Sequence, residues 1–267
     1  MPDIIEFAKA AAVHAGDMIV KERAGTPLQR DFKGGNEMVT QADLKADALI
    51  TGLINESYPQ HGIVSEELAP GDGELTDTES DLWIVDPIDG TVNYAHGHSQ
   101  SAVSIAHVSK GQIVAGVVYN PFTRELFWAE AGGGAFLNDE PIRVSGETDP
   151  ARALIATGFP YDKSTLEPFL ARVVNVLREC ADIRRLGSAA LDICWVAAGR
   201  LDGYYESLSV WDFAAAQLIA REAGARYGHF SEVPEGIPPQ FYCKNILVAN
   251  PVLYPRLEKI LQKSPTC

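Results

Sequence analysis

Cysteine is scarce in this 267-residue chain: Cys180, Cys194, Cys243 and Cys267 stand far apart with no Cys-x-x-Cys spacing. That leaves no zinc-type framework and fits buried or incidental thiols in a reducing cytosol, so a cytoplasmic protein is expected. No stretch approaches the roughly 20 apolar residues needed to span a bilayer. The first 25 residues carry Asp3, Glu6, Lys9, Asp17 and Lys21 in an amphipathic pattern, which excludes the uninterrupted apolar core of a signal peptide. Basic charge is also short, with 22 Lys and Arg against 36 Asp and Glu, a net charge of −14. Bulk electrostatics therefore disfavour direct nucleic-acid binding and anionic membranes, and an anionic substrate would need metal ions or local donors to hold it. Internal repeats, low-complexity tracts and flexible linkers are absent too.

What is present is a chain with 46% hydrophobic residues, ample for a core. Ile4, Ala8, Ala11, Ala15 and Ile19 recur on one face of a helix over residues 3–23, with Asp3 and Glu6 at capping-box spacing. Asp31 to Asn36 reads as a polar turn, after which Thr40 can cap a helix running to about Tyr58. Gly71 to Glu74 reads as an exposed loop. Val103–Val108, Ile113–Tyr119 and Glu125–Ala129, separated by turn residues, predict an antiparallel meander. Beyond Pro150, strands at Leu154–Thr157 and Ile246–Ala249 alternate with helices near 165–180, 188–198 and 212–223. The expected organisation is residues 1–148 and 149–267 as two parts of one compact unit, with a site in the cleft between them.

The chemistry concentrates in Trp83-Ile84-Val85-Asp86-Pro87-Ile88-Asp89-Gly90-Thr91-Val92-Asn93, where an apolar run ends at two carboxylates and a turn. Gly62-Ile63-Val64-Ser65 likewise runs into Glu66 and Glu67, and Asp212 opens a helical pattern. Carboxylates from three places, with no cysteine or histidine cluster beside them, select hard ions such as Mg²⁺. Each also has a plain reading: Asp212 as an N-cap, Asp43 as the second half of a capping box with Thr40, Glu66-Glu67 as a solvated loop end. The buried approach of Leu82 to Val85 favours a site at Asp86 and Asp89. His96-x-His98 reads as a surface loop, Lys33 beside Gly34-Gly35 as solvated, and Trp128 and Trp195 as core.

These pieces together resemble the inositol monophosphatases, a group of Mg²⁺-dependent, lithium-sensitive phosphatases. The likeness rests on Asp86-Pro87-Ile88-Asp89-Gly90-Thr91-Val92-Asn93 and on Trp211-Asp212-Phe213-Ala214-Ala215 with Glu222-Ala223-Gly224, and spans nearly the whole chain. It implies a layered αβαβα sandwich, an α+β or α/β fold with an antiparallel sheet in the first half and a mixed sheet in the second. It implies Glu66, Asp86, Asp89, Asp212 and the Ile88 carbonyl as ligands for two or three Mg²⁺ ions, with Asp212 turned toward the metal rather than capping. Thr91 and Asp43 would orient and deprotonate the attacking water, which the ion held by Glu66 acidifies. Gly90 and Thr91 would contact phosphate, with Asp89 nearby. Gly187, Ser188, Ala189, Glu206 and Asp212 would line the alcohol, and the loop from Lys33 to Asn36 would close over the site.

The resemblance further implies a homodimer acting on a small sugar or polyol phosphate, inositol 1-phosphate first, with histidinol phosphate, fructose 1,6-bisphosphate and 3′-phosphoadenosine 5′-phosphate as alternatives. Some bacterial relatives are partners of the transcription and RNA-processing machinery, which makes a protein-contact role the rival reading. Ala216 and Ala225 stand where relatives often have glycine. The loop Ser207-Leu208-Ser209-Val210 is short and uncharged, which bears on substrate choice.

Overall fold

A computed structural model describes residues 3–25, 30–33, 37–68, 75, 79–160 and 163–263. From the amino end come α1 (Ile4–Gly25), a hairpin of β1 (Arg30–Lys33) and β2 (Glu37–Thr40), α2 (Gln41–Ser57), β3 (Gly62–Ser65), β4 (Leu82–Asp89) and α3 (Thr91–His96). An antiparallel run follows: β5 (Ala102–Ser109), β6 (Gln112–Asn120), β7 (Glu125–Glu130), β8 (Gly134–Leu137) and β9 (Glu140–Pro141). The second half holds β10 (Leu154–Thr157), α4 (Leu166–Glu179), β11 (Asp182–Arg184), α5 (Ala189–Ala197), β12 (Gly203–Glu206), α6 (Val210–Glu222), β13 (Arg226–His229), β14 (Ile246–Ala249) and α7 (Tyr254–Gln262).

Strands β3 to β9 form one sheet in sequence order, antiparallel except for the parallel β3–β4 pair. The other sheet has the order β11-β10-β12-β14-β13 and is mixed, with β10 parallel to both neighbours. Three apolar clusters separate the layers. One packs α1 and α2 on the outer face of the large sheet, one fills the space around α5 and α6 between the sheets, and one joins α4 and α7 to the far face of the small sheet. The stacking is therefore αβαβα, as the resemblance implies.

Strand β4 explains why its sequence is apolar throughout. All eight of its residues are buried, because helices cover both faces of the sheet. Trp83, Val85 and Ile88 face the α1–α2 cluster, and Leu82 and Ile84 face the one around α5 and α6. The strand does not end at Asp86 as the sequence suggests. Its ladder with β5 shifts register between Asp86 and Asp89 and resumes at the Asp89–Ala102 pair. Pro87 has no N–H to give the ladder, so the chain bulges there and re-aims both aspartates.

Other expectations are adjusted by the backbone. Asp31 to Lys33 belongs to β1 rather than to a turn, while Gly34 to Asn36 and Gly71 to Glu74 lie outside the described residues. Asp3 accepts from the Ile5 N–H at 3.1 Å, whereas Glu6 pairs with Lys9 at 3.0 Å instead of closing a capping box. Trp128 and Trp195 are only partly buried at the edges of the apolar clusters. The described cysteines Cys180, Cys194 and Cys243 form no disulfide with one another.

The central helix α6 lies directly on the large sheet. A Cβ placed on Gly116 of β6 would stand 2.7 Å from the Ala215 carbonyl oxygen and 3.0 Å from its Cα. The run Ala214-Ala215-Ala216 keeps the helix side of this contact equally thin. Gly116→Ala is expected to lower stability by about 1–3 kcal/mol, the cost of overpacking a close contact. Gly52 lies exposed within α2, and nothing stands within 4 Å of its added Cβ, so Gly52→Ala should raise stability by about 0.5–1 kcal/mol. Thermal melts of the two variants check both signs.

Candidate active site

The residues singled out in the sequence meet in one cleft of about 220 Å³, at the ends of β3, β4 and β12 and the starts of α5 and α6. Ligand oxygens of Asp86, Asp89 and Asp212 all lie within 4.8 Å of one another. Glu66 enters just beyond β3, its N–H held by the Val85 carbonyl at 3.1 Å, and its carboxyl faces that of Asp86. Burial drives the Asp86 pKa well above the usual carboxylate range, and the charges of Glu66, Asp89 and Asp212 push it further. Asp89 is raised to about 6, again chiefly by burial.

Asp89 is held by groups the sequence reading assigned to substrate. Its Oδ2 accepts from the Ser188 hydroxyl at 2.5 Å and the Ala190 N–H at 2.8 Å, and its Oδ1 accepts from the Ala189 N–H at 3.3 Å. Ser188 and Ala189 do line the cleft with Gly187, but their donors orient a carboxylate. Asp212 combines two roles that the sequence reading set against each other. It is the third residue of α6, not the N-cap, and its Oδ2 accepts from the Ser209 N–H at 2.8 Å while the carboxylate stays within the acidic group.

Asp43 is likewise both cap and site residue. Its Oδ2 accepts from the Thr40 N–H at 2.8 Å and the Thr40 hydroxyl at 2.5 Å, closing the capping box of α2. Its Oδ1 receives the Thr91 hydroxyl at 2.9 Å, which also lies 3.0 Å from the Ile88 carbonyl. Burial raises the Asp43 pKa, opposed by the Thr40 and Thr91 hydrogen bonds. Gly90 turns the chain between β4 and α3 with φ at 87°, and a Cβ there would stand 2.8 Å from the Gln100 carbonyl and 2.9 Å from that of Gly187. Only glycine fits this turn.

Glu206 closes the far end from β12. Burial lifts its pKa to about 7, against the pull of a short hydrogen bond from the Tyr204 hydroxyl and of the Arg185 charge. Two groups here, Arg185 and Asp192, lie outside the sequence motifs, and a third, Asn93, stands in the signature segment without an assigned role. Arg185 is the one cation among the described residues lining the cleft. Asp192 is 2% exposed with an unpartnered Oδ1. Asn93 ties the segment down through the Gln100 and Leu186 carbonyls at 2.8 and 2.7 Å. The position of Arg185, two residues before Gly187-Ser188, was the available signal. His96 and His98 are exposed and outside the acidic group, and the side chain of Lys33 and residues 34–36 fall outside the described region.

The donor set fits a hard divalent cation. It consists of buried, mutually repelling carboxylate oxygens without sulfur or imidazole, and charge of that kind is relieved by an ion such as Mg²⁺. Without one, the folded chain binds protons more tightly than the unfolded chain at Asp89, about 6 against 3.8, and at Glu206, about 7 against 4.5. Stability in EDTA is therefore expected to fall as pH rises from about 4 to about 7, and millimolar Mg²⁺ should flatten that slope. Asp86→Asn should raise the EDTA melting temperature by about 2–4 °C for each kcal/mol of repulsion it relieves. Calorimetric melts across that pH range check both.

Comparisons with known proteins bear on the family and the fold. The model of the inositol monophosphatase family matches residues 1–266. The "Nus factor SuhB" of Pasteurella multocida is 44% identical over 229 residues, 84% of this chain and 84% of its own. The "Inositol-1-monophosphatase" of Mesorhizobium japonicum is 41% identical over 253 residues, 90% of this chain and 92% of its own. The crystal structure of extragenic suppressor protein suhB from Bartonella henselae superposes with a TM-score of 0.88 at 41% identity, covering 98% of this chain and 99% of that one. By its sequence along almost its entire length and by its layered fold, the chain belongs to the inositol monophosphatase family.

Proposed function

We propose that this phosphomonoesterase hydrolyses a small sugar or polyol phosphate, inositol 1-phosphate first, by direct attack of water on phosphorus with two or three Mg²⁺ ions in the cleft. The observation that carries the reading is the Thr91 hydroxyl, which lines the cleft beside Asp86, Asp89 and Asp212 and stands 2.9 Å from Asp43 Oδ1 behind it. Glu66, Asp86, Asp89, Asp212 and the Ile88 carbonyl would hold the ions, whose bound charge would offset that of the phosphate and the leaving oxygen.

The chain's own groups move the protons. Thr91 Oγ1 takes a proton from the attacking water while passing its own to Asp43, whose buried carboxyl is raised in pKa and so suited to receive it. The new P–O bond forms as the ester P–O bond breaks, and the alcohol leaves with a proton drawn from solvent. Backbone N–H groups of Gly90 and Thr91 hold phosphate oxygens, and no covalent enzyme intermediate is required.

The alcohol end of the cleft is rich in acceptors, with Glu206 and Asp192 set against Arg185, the one cation among the described residues there. Such a wall takes hydroxyl donors and repels a second anion. It supports a neutral polyol over fructose 1,6-bisphosphate or 3′-phosphoadenosine 5′-phosphate, and leaves cationic histidinol phosphate as the nearest competitor. A cytosolic homodimer, built from parts 1–148 and 149–267 that share the cleft, belongs to the same reading. The second reading, contact with the transcription machinery, is supported by relatives that carry the name Nus factor.

Phosphate release from a panel of monoesters, with and without millimolar Mg²⁺, tests the proposal. Wild type should require the ion and prefer inositol 1-phosphate. Asp89→Asn should abolish turnover, and Thr91→Ala should lower kcat by about 10²–10⁴-fold. A wild type inert toward the whole panel defeats the enzyme reading. An unimpaired Thr91→Ala defeats the relay alone. Sedimentation of the purified protein tests the dimer.

A further inference from the structure

A larger cavity, of about 570 Å³, lies on the far side of the small sheet, between α4 and the ends of β12 and β13. It meets the acidic cleft only at Gly158 and Glu206. Its character is opposite to that of the cleft. Arg172 and Lys244 line it, and among the described residues Glu206 is its only carboxylate, already engaged on the cleft side by Tyr204.

Two polar groups in its wall lack partners. The half-buried Arg172 guanidinium lies 5.0 Å from the centre of the Phe230 ring and makes no hydrogen bond or ion pair among the described residues. Tyr205 is 2% exposed, and its hydroxyl has no hydrogen-bond partner. The Thr157 hydroxyl lies beside it and gives its own proton to the Tyr205 carbonyl at 2.7 Å. Arg172 and Tyr205 line the same cavity, and burial pulls the Arg172 pKa down while the Tyr205 side chain opposes the shift. Leaving such buried donors unmatched costs about 1–3 kcal/mol each, which an oxyanion would recover. Phe169, Phe230, Pro160 and Pro168 add flat apolar surface, with Thr165, Ser207 and Asn245 completing the lining.

We propose that this cavity is a second ligand site, for a small organic anion that carries a phosphonate, phosphate or carboxylate group on a flat apolar ring. The anionic head sits between Arg172 and Lys244 and accepts from the Tyr205 hydroxyl. The ring lies between Phe169 and Phe230. Recognition here needs no metal, unlike phosphate binding in the acidic cleft.

That difference gives the test. The probe is phenylphosphonate, titrated by calorimetry into the full-length protein in EDTA, where the repelling carboxylates of the cleft have no ion to attract it. One saturable site with a Kd below about 1 mM is expected. Arg172→Gln and the exposed Lys244→Gln should each weaken it by about tenfold or more, the loss of one charge-assisted contact. Asp89→Asn should leave it unchanged, and melts of each variant report folding. Absence of binding, wild-type affinity in a folded Arg172→Gln or in Lys244→Gln, or loss of binding in Asp89→Asn would each overturn the assignment. None of these outcomes depends on whether the cleft hydrolyses phosphate.

Discussion

Repulsion among carboxylates brought together out of water is the constraint that shapes this molecule. Asp86, Asp89 and Asp212 approach within 4.8 Å, and Glu66 adds its charge to Asp86. At such separations, and with burial lowering the local dielectric, each added charge works against folding. The surrounding elements answer with donors aimed at individual oxygens. Ser188 and the first turn of α5 hold Asp89, Ser209 holds Asp212, the Ile88 N–H meets Asp86 Oδ1 at 3.0 Å, and Thr40 holds Asp43. Those donors orient the oxygens without neutralising them. The fold thus keeps a stored electrostatic strain that a cation relieves, the usual compromise between stability and function at a metal site.

The neighbourhood shows how local rules and site chemistry share residues. Two of the site carboxylates, Asp43 and Asp212, sit at the third position of a helix, where a carboxylate also closes a capping box. A cap fixes the rotamer of the side chain it uses, so the helix starts position the second oxygen as well as satisfying the backbone. At both helix starts the carboxylate that closes the cap also meets a site group, Asp43 through Thr91 and Asp212 through Asp86 and Asp89.

Much of the architecture was legible because it follows periodicity. The three meander strands, the strands at Leu154–Thr157 and Ile246–Ala249, and helices α1, α2, α4, α5 and α6 all carry clear apolar patterns. The acidic residues were legible because apolar runs that deliver carboxylates have few structural uses. What escaped depends on contacts distant in sequence or on exceptions to pairing. No local pattern signals that Ser188 reaches Asp89, 99 residues away. The shift around Pro87 could not be read as a bulge until the partner strand was known. Strand β1, only four residues long with polar Asp31 and Lys33, carries too little apolar signal to stand apart from a turn.

The Asp89–Ser188 contact and the Asp43–Thr91 contact, the latter 48 residues apart in sequence, join the large sheet to three helices. Chain closure over such separations comes late and only together with the packing of the layers. A partly folded chain therefore has scattered acidic side chains but no assembled cluster. Affinity for a cation at this cluster would appear along with the native topology, all at once, and so would report on folding of the whole molecule rather than of any one part.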